Sequence, residues 1–112
     1  MDSSDVRFKT NIKNITSLHA LAAIDQLRPV SYNHRTDEFP YLAGGNQVGF
    51  IADEVELVIP DIVSTDEQGY KAIAYSRLAA MNTGAIQALH DKINELENQV
   101  KRLTEIIEKI TA

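Results

Sequence analysis

The stretch Ser76–Ile110 decides the fold, and it reads SRLAAMNTGAIQALHDKINELENQVKRLTEIIEKI without a proline. Apolar residues within it recur at alternating steps of three and four, as the a and d positions of a heptad repeat do: Ile86, Leu89, Ile93, Leu96, Val100, Leu103, Ile107 and Ile110. Because a straight helix has about 3.6 residues per turn, an ordinary surface helix drifts off a strict seven-residue repeat. The stretch therefore predicts a coiled-coil helix over residues 76–110 through which copies of the chain associate. The alternative is one amphipathic helix folded onto its own body, but so narrow a seam suits a partner helix better.

The heptad pattern leaves the number of helices in the coil open. Isoleucine or valine at a with leucine at d favours a dimer. In contrast, Ile106 at a g position widens the apolar face, and Ala79 and Ala85 leave room for close approach, which accommodates a third helix. Lys92 at g can meet Glu97 at e of a neighbouring copy, which favours parallel alignment. Dimer and trimer both fit the pattern.

Residues 16–75 predict a small mixed body ahead of this helix. The predicted elements are a helix over 16–27, strands over 30–34 and 47–51, a helix over 52–58, and a hairpin of 62–65 with 70–74. Pro29 and Pro60 end the two helices because proline cannot continue a helix. The fold class is therefore α+β, a small body of short strands and helices followed by a long C-terminal helix. We expect one domain over 1–112, with residues 1–15 as a segment of its own.

Composition excludes several classes of function. The chain of 112 residues has a formal net charge of −5 and no cluster of lysine or arginine, whereas nucleic-acid binding needs a basic face. Cysteine is absent, and His19, His34 and His90 lack the spacing of metal ligands, so we expect no metal and no cofactor. No apolar run approaches the length of a membrane span. A soluble protein made in a cytoplasm, with neither nucleic acid nor membrane as partner, is the expectation.

The best candidate nucleophile and base lie in the segment Ser4-Asp5-Val6-Arg7-Phe8-Lys9. Serine with lysine is a known pair of nucleophile and base, but an unperturbed lysine, with a pKa near ~10.4, is protonated at neutral pH. Burial supplies the required shift, and Phe8 and Ile12 could wall off Lys9. From spacing alone, a solvated serine and a surface lysine are the simpler interpretation, because such pairs are common.

Geometry sets a second condition on this pair. Five residues of straight strand would put Ser4 and Lys9 roughly 16 Å apart on opposite faces. Either the chain turns between them, or Lys9 of one copy serves Ser4 of another. The sequence leaves both options open.

Four ordered blocks cover nearly the whole chain. They are Ser4-Asp5-x-Arg7-x-Lys9-Thr10-Asn11-Ile12, Ile24-x-x-Leu27-Arg28-Pro29-Val30-x-Tyr32, Gly49-Phe50-Ile51-Ala52-x-Glu54-Val55 with Pro60 and Val63, and Tyr75-Ser76-x-Leu78. Together they resemble the endosialidase-type intramolecular chaperone domain, also called the S74 peptidase family. Its members lie at the C-terminus of bacteriophage tail spikes, tail fibres and neck appendages. The chain departs from the usual pattern at Phe8, Asp53 and Ala74, where leucine, glutamine and aspartate are common.

The resemblance implies a homotrimer with a parallel trimeric coiled coil. It implies that Ser4 and Lys9 form a catalytic dyad, that Arg7 and Asn11 are motif residues that orient it, and that cleavage falls between Ser4 and Asp5. The chain would then be a single-turnover autoproteolytic serine peptidase. It would help an upstream β-structured fibre or spike region of the same chain to fold, in the host cytoplasm during phage assembly, and leave the virion component after cleavage.

Two other functions compete with this one. A structural trimerisation domain of a viral fibre would stay attached, with Ser4 and Lys9 inert. A receptor-binding fibre tip would need an exposed aromatic or polar pocket on the loop of residues 35–46.

Overall fold

The structure, a computed structural model, describes residues 2–112. Along the chain the elements are α1 (Ser17–Ile24), β1 (Val30–Asn33), β2 (Asn46–Gly49), α2 (Ala52–Val58), β3 (Val63–Thr65), β4 (Lys71–Ile73) and α3 (Tyr75–Thr111), with short 3-10 turns at Val6–Phe8 and Pro60–Ile62. The predicted α+β class and the long C-terminal helix are confirmed.

Helix α1 begins at a threonine cap and ends earlier than the periodicity predicts. Thr16 Oγ1 accepts a hydrogen bond from the amide of His19 at 3.3 Å, which satisfies one of the free donors of the first turn. After Ile24 the chain tightens, since the Leu27 amide bonds the Ile24 carbonyl at 3.0 Å rather than continuing the α-helical pattern. The apolar spacing therefore runs on to Leu27, although the α-helix does not.

The four strands form two separate antiparallel hairpins. Strand β1 pairs with β2, from Val30 opposite Gly49 to Asn33 opposite Asn46, and β3 pairs with β4. The second hairpin closes as the sequence predicts, because Asp66 Oδ1 accepts the amides of Gln68 and Tyr70, each at 2.9 Å. The first hairpin ends before Phe50, whose amide leaves the ladder and donates to a side chain of α3.

The core lies where the body meets the first turns of α3. Val55 of α2, Ile62 and Leu78 form one buried cluster, and Ala20, Ala23 and Met81 form the other. Helices α1 and α3 approach very closely, since a Cβ built on Gly84 would lie 2.8 Å from the Cβ of Ala20. Small residues on both helices allow this packing.

Helix α3 uses different faces for the body and for its heptad seam. The body covers Leu78, Met81, Gly84, Ala85 and Ala88. At about 100° per residue, the centre of this covered face lies roughly 105° around the helix from Ile86 and Leu89, the seam positions nearest to the body. The seam therefore stays accessible beside the folded body.

The rest of α3 projects away, so that the molecule measures 72 × 40 × 24 Å. Every residue from Leu89 onwards is exposed. Helix α3 has the length to span a bilayer but is too polar to do so, and no other helix within residues 2–112 qualifies either.

Candidate functional site

Ser4 and Lys9 lie side by side in the single chain. Lys9 Nζ donates a hydrogen bond to Ser4 Oγ at 3.1 Å. The chain turns between them through the 3-10 turn Val6–Phe8, in which the Phe8 amide bonds the Asp5 carbonyl at 3.0 Å and the Lys9 amide bonds the Val6 carbonyl at 3.1 Å. Of the two arrangements that the sequence leaves open, the structure has the turn within one chain.

The turn is held by the residue that precedes it. Asp5 caps it, with Oδ1 accepting the Arg7 amide at 2.9 Å. The same carboxylate binds the Arg7 guanidinium with both oxygens, Nε to Oδ1 at 3.1 Å and Nη2 to Oδ2 at 2.8 Å. These hydrogen bonds lower the pKa of the Asp5 carboxyl below its ordinary value and raise that of Arg7. We call this arrangement, Asp5 bound to the amide and the guanidinium of Arg7, the Asp5–Arg7 clasp.

Asn11 lies two residues beyond the Ser4–Lys9 contact. Its backbone has a φ of 53°, in the left-handed region that asparagine tolerates better than most residues. Its exposed side chain belongs to the stretch that leads from the turn to α1. The geometry therefore gives Asn11 a role in the path of the chain, whereas Arg7 contacts the turn directly.

The apolar wall expected around Lys9 is wrong for the single chain. Phe8 is 75% exposed and Ile12 is 68% exposed, because the segment before α1 runs over the surface with its side chains in water. Ser4 and Lys9 are exposed as well. The pair therefore has contact geometry without the desolvation that base catalysis by lysine requires.

Residues of separate blocks meet in the body, where they build the fold rather than a catalytic centre. The Arg28 guanidinium binds the Glu54 carboxylate through Nη2 to Oε2 at 2.6 Å and Nε to Oε1 at 3.0 Å. Tyr75 Oη accepts the Phe50 amide at 3.1 Å, and a Cβ on Gly49 would lie only 2.6 Å from that oxygen. These contacts join block residues that are far apart in sequence.

Lys71 forms an ion pair that sequence inspection missed. Its Nζ lies 2.7 Å from Asp53 Oδ1 and 2.8 Å from Glu56 Oε1, so it joins β4 to α2. Hydrogen bonds to the two carboxylates raise the pKa of Lys71 well above its ordinary value. The only available signal was the i, i+3 spacing of the two acids on one face of a helix.

An aromatic cluster connects the loop of residues 35–45 with the second hairpin. The Phe39 ring meets Tyr41 and Tyr70 edge to face, with centroids 6.2 and 5.9 Å apart. An open groove of about 380 Å³ lies beside it. By residue type, the sequence predicts that Tyr32, Phe50, Tyr70 and Tyr75 fill the small core. Tyr70 is exposed here and Tyr75 is half-exposed, so the prediction is wrong for these two. The cluster packs ring against ring at the surface instead.

The eight seam residues form an apolar row along α3. They are between 47% and 77% exposed in the single chain, and Ile106 beside them is exposed too. An open groove of about 380 Å³ continues the row onto the body, between Leu21, Ile24 and Leu27 on one side and Ile86 and Leu89 on the other. His19, His34 and His90 lie on separate elements, and residues 2–112 contain no group of side chains placed to hold a metal ion.

Comparison with known proteins relates the chain to a protein family and to a phage fibre protein. A sequence profile described as "chaperone of endosialidase", that of the S74 peptidases, matches residues 4–64, which include the Ser4–Lys9 turn and most of the body. The "Long tail fiber protein Gp37" of Salmonella phage S16 is 32% identical over 116 aligned residues. That alignment covers 97% of this chain but 15% of the phage protein. On the family match, which takes in more than half of its residues, the chain belongs to the S74 peptidase family of endosialidase-type chaperones.

Proposed function

We propose that this chain is the intramolecular chaperone at the C-terminus of a phage tail-fibre protein. It trimerises through α3, assists the folding of the upstream β-structured region of the same chain, and then leaves by one autoproteolytic cut between Ser4 and Asp5. Membership of the chaperone family supports the folding role, and the likeness to a phage long tail fibre protein supports the kind of client. The work is done in the host cytoplasm during phage assembly.

The observation that carries the peptidase part is the 3.1 Å contact between Lys9 Nζ and Ser4 Oγ. This is the distance over which a general base takes a proton from a nucleophile. Once neutral, the Lys9 amine accepts the hydroxyl proton while Oγ attacks a backbone carbonyl carbon. The Lys9 ammonium then returns a proton to the departing amine of Asp5, which leaves an ester that water hydrolyses. Lys9 departs with the released fragment, so each chain reacts once.

Ring size decides which copy supplies the nucleophile. Attack by Ser4 Oγ on the carbonyl carbon of its own residue would close a strained four-membered ring. The hydroxyl of a neighbouring copy reaches the same carbon without that strain. We therefore assign the attack on the Ser4–Asp5 bond to Ser4 of another subunit, activated by the Lys9 that lies beside it in its own turn.

Assembly also supplies the missing desolvation. An ammonium loses its proton more readily when it is removed from water. The segment around Lys9 exposes Val6, Phe8 and Ile12, which are apolar side chains that docked subunits would cover. Trimerisation then both delivers the nucleophile and switches on the base.

Three features support association through α3. Its seam is an exposed apolar row, the body covers a different face of the same helix, and the groove beside Leu21 and Leu27 continues the row. The resemblance to the S74 family favours three copies. The exposed Ile106 fits this number because it widens the apolar face beyond a two-helix seam.

The direct test expresses the chain with its native upstream segment and follows mass and N-terminal sequence of the fragments. We expect a trimer and a C-terminal fragment that begins at Asp5. Ser4→Ala and Lys9→Ala should each give an intact trimeric precursor, and normal processing of either variant would remove the dyad. Deleting the last three heptads should abolish association and cleavage together.

Mixed trimers test the assignment of the nucleophile. A tagged Ser4→Ala precursor, co-expressed with the unmodified precursor, should be cut between residues 4 and 5 because its neighbours keep their serine. If it stays intact within trimers whose other chains are cut, the serine acts within its own chain. A fragment beginning at Ser4 would then indicate attack on the Ser3 carbonyl, through a five-membered ring.

The alternative function is a trimerisation domain that remains attached. Lys9 is exposed in the single chain. This alternative is favoured if the Lys9 amine stays exposed to water in the assembly. Mass spectrometry separates the two functions, since a trimer that keeps its full precursor mass is a clamp without peptidase activity.

A further inference from the structure

The Ser4–Lys9 turn depends on local contacts in the single chain. Residues 2–16 are exposed throughout, so the packed body gives this segment no buried support. An extended path would separate the two side chains by roughly 16 Å. Something within the segment itself must hold them 3.1 Å apart.

The Asp5–Arg7 clasp is that support. Asp5 has the extended backbone of a helix N-cap, with φ −63° and ψ 134°, and its carboxylate takes the Arg7 amide at 2.9 Å. The guanidinium of Arg7 grips both carboxylate oxygens, which keeps the capping side chain in place. Asp5, the residue after Ser4, therefore stabilises the turn that places Lys9 beside Ser4.

We propose that Asp5 is the positioning residue of the autoproteolytic site, and that capping ability rather than a binding pocket determines which residue works after the serine. The inference rests on the proposed peptidase function. The essential property of this residue is a short side chain with an acceptor oxygen. Only such a side chain can accept a hydrogen bond from the amide of the residue two positions later. The negative charge is secondary, because it serves only to strengthen the binding of the Arg7 guanidinium to the capping carboxylate.

Capping and charge predict different orders of activity for substitutions at this position. If capping decides, Asp5→Asn and Asp5→Ser retain cleavage within about twofold, whereas Asp5→Ala and Asp5→Glu slow it by about fivefold, the loss typical of a deleted cap. Glutamate carries the charge, but its extra methylene misplaces the oxygen. If charge decides, glutamate retains activity and asparagine loses it.

The first experiment measures the rate of self-cleavage in the full-length precursor carrying each substitution. Asp2→Ala is the matched control, because it removes an acid from the same exposed segment outside the turn. We expect this control to cleave as fast as the unmodified precursor. Equal rates for all Asp5 variants, or the order that charge predicts, would overturn the proposal.

The second experiment reads the turn without cleavage. In the 112-residue chain carrying Ser4→Ala, amide hydrogen exchange of Arg7, Phe8 and Lys9 reports the cap and the two turn hydrogen bonds. Asp5→Ala should accelerate exchange at Arg7 several-fold, and Asp5→Asn should leave it close to that of the parent chain. Unchanged exchange in Asp5→Ala would refute the positioning role even if the precursor cleaves. Failure of the unmodified precursor to cleave would instead count against the proposed function.

Discussion

Gly49→Ala tests the contact that joins the first hairpin to α3. A Cβ at this position would lie 2.6 Å from Tyr75 Oη and 3.4 Å from Tyr32 Oη, and the first of these is well inside ordinary van der Waals distance. The Tyr75 oxygen cannot swing away alone, because its rigid ring is stacked on Phe50 with centroids 6.3 Å apart. Relief of the overlap therefore moves the ring and breaks its hydrogen bond with the Phe50 amide.

The expected cost combines three effects. Overpacking costs about 1–3 kcal/mol, and the lost hydrogen bond costs about 1 kcal/mol. Alanine returns about 0.5 kcal/mol by restricting the unfolded chain. We expect Gly49→Ala to lower the free energy of unfolding by about 2.5 kcal/mol, measured by urea denaturation at fixed chain concentration.

A second substitution makes the explanation specific. Tyr75→Phe removes the oxygen that the new methyl group meets, and by itself should cost about 1 kcal/mol through the lost hydrogen bond. In the double variant the overlap is gone, so the total cost should be about 0.5 kcal/mol, the lost hydrogen bond less the gain from alanine, rather than the additive sum of about 3.5 kcal/mol. Additive costs, within about 0.5 kcal/mol, would show that the Gly49–Tyr75 approach does not limit the substitution.

Three further predictions follow from α3 and the surface ion pairs. Leu96→Asp at a seam position should reduce the molar mass measured by sedimentation equilibrium to about that of one chain. Asn98→Asp, on the side of α3 opposite the seam, should leave that mass unchanged. Gly84→Ala should destabilise by about 1 kcal/mol in urea titrations despite its better helix propensity, because the new Cβ would lie 2.8 Å from a Cβ of α1; a gain in stability would contradict the tight approach. The Arg28 hydrogen bonds lower the pKa of Glu54 below its ordinary 4.5, so their contribution is present above that value and is lost as pH falls through the folded pKa. Arg28→Gln should therefore weaken the acid dependence of the urea midpoint below about pH 5, and an unchanged acid slope would refute this assignment.

Periodic and strictly local features could be predicted from the sequence. Helix α3 was predicted over residues 76–110 and spans Tyr75–Thr111, and α2 was predicted over residues 52–58 and has those bounds. The hairpin of β3 and β4 was also predicted, and the Asp66 carboxylate closes its turn by accepting the amides of Gln68 and Tyr70. In each case neighbouring residues carry all the information, so no distant contact had to be known.

Features that depend on distant contacts were misjudged. Tyr70 and Tyr75 were expected in the core because they are large and aromatic. Instead, Tyr70 contacts the Phe39 ring of the loop, and Tyr75 accepts a hydrogen bond from the Phe50 amide, both near the surface. The prediction of an apolar wall around Lys9 was wrong for a similar reason. Apolar residues next to a lysine in sequence shield it only when another part of the structure packs over them.

The sequence by itself determined the long heptad helix, the α+β class and the pair of residues worth testing as a dyad, because periodicity and residue type are local properties. The sequence left open whether Ser4 and Lys9 touch, and the structure shows that they do, through a locally capped turn that reverses the path of a short segment. Only the tertiary structure decided that the body and the seam occupy different faces of α3. That arrangement arises because small residues let α1 pack on one side of the helix and leave the apolar row on the other exposed.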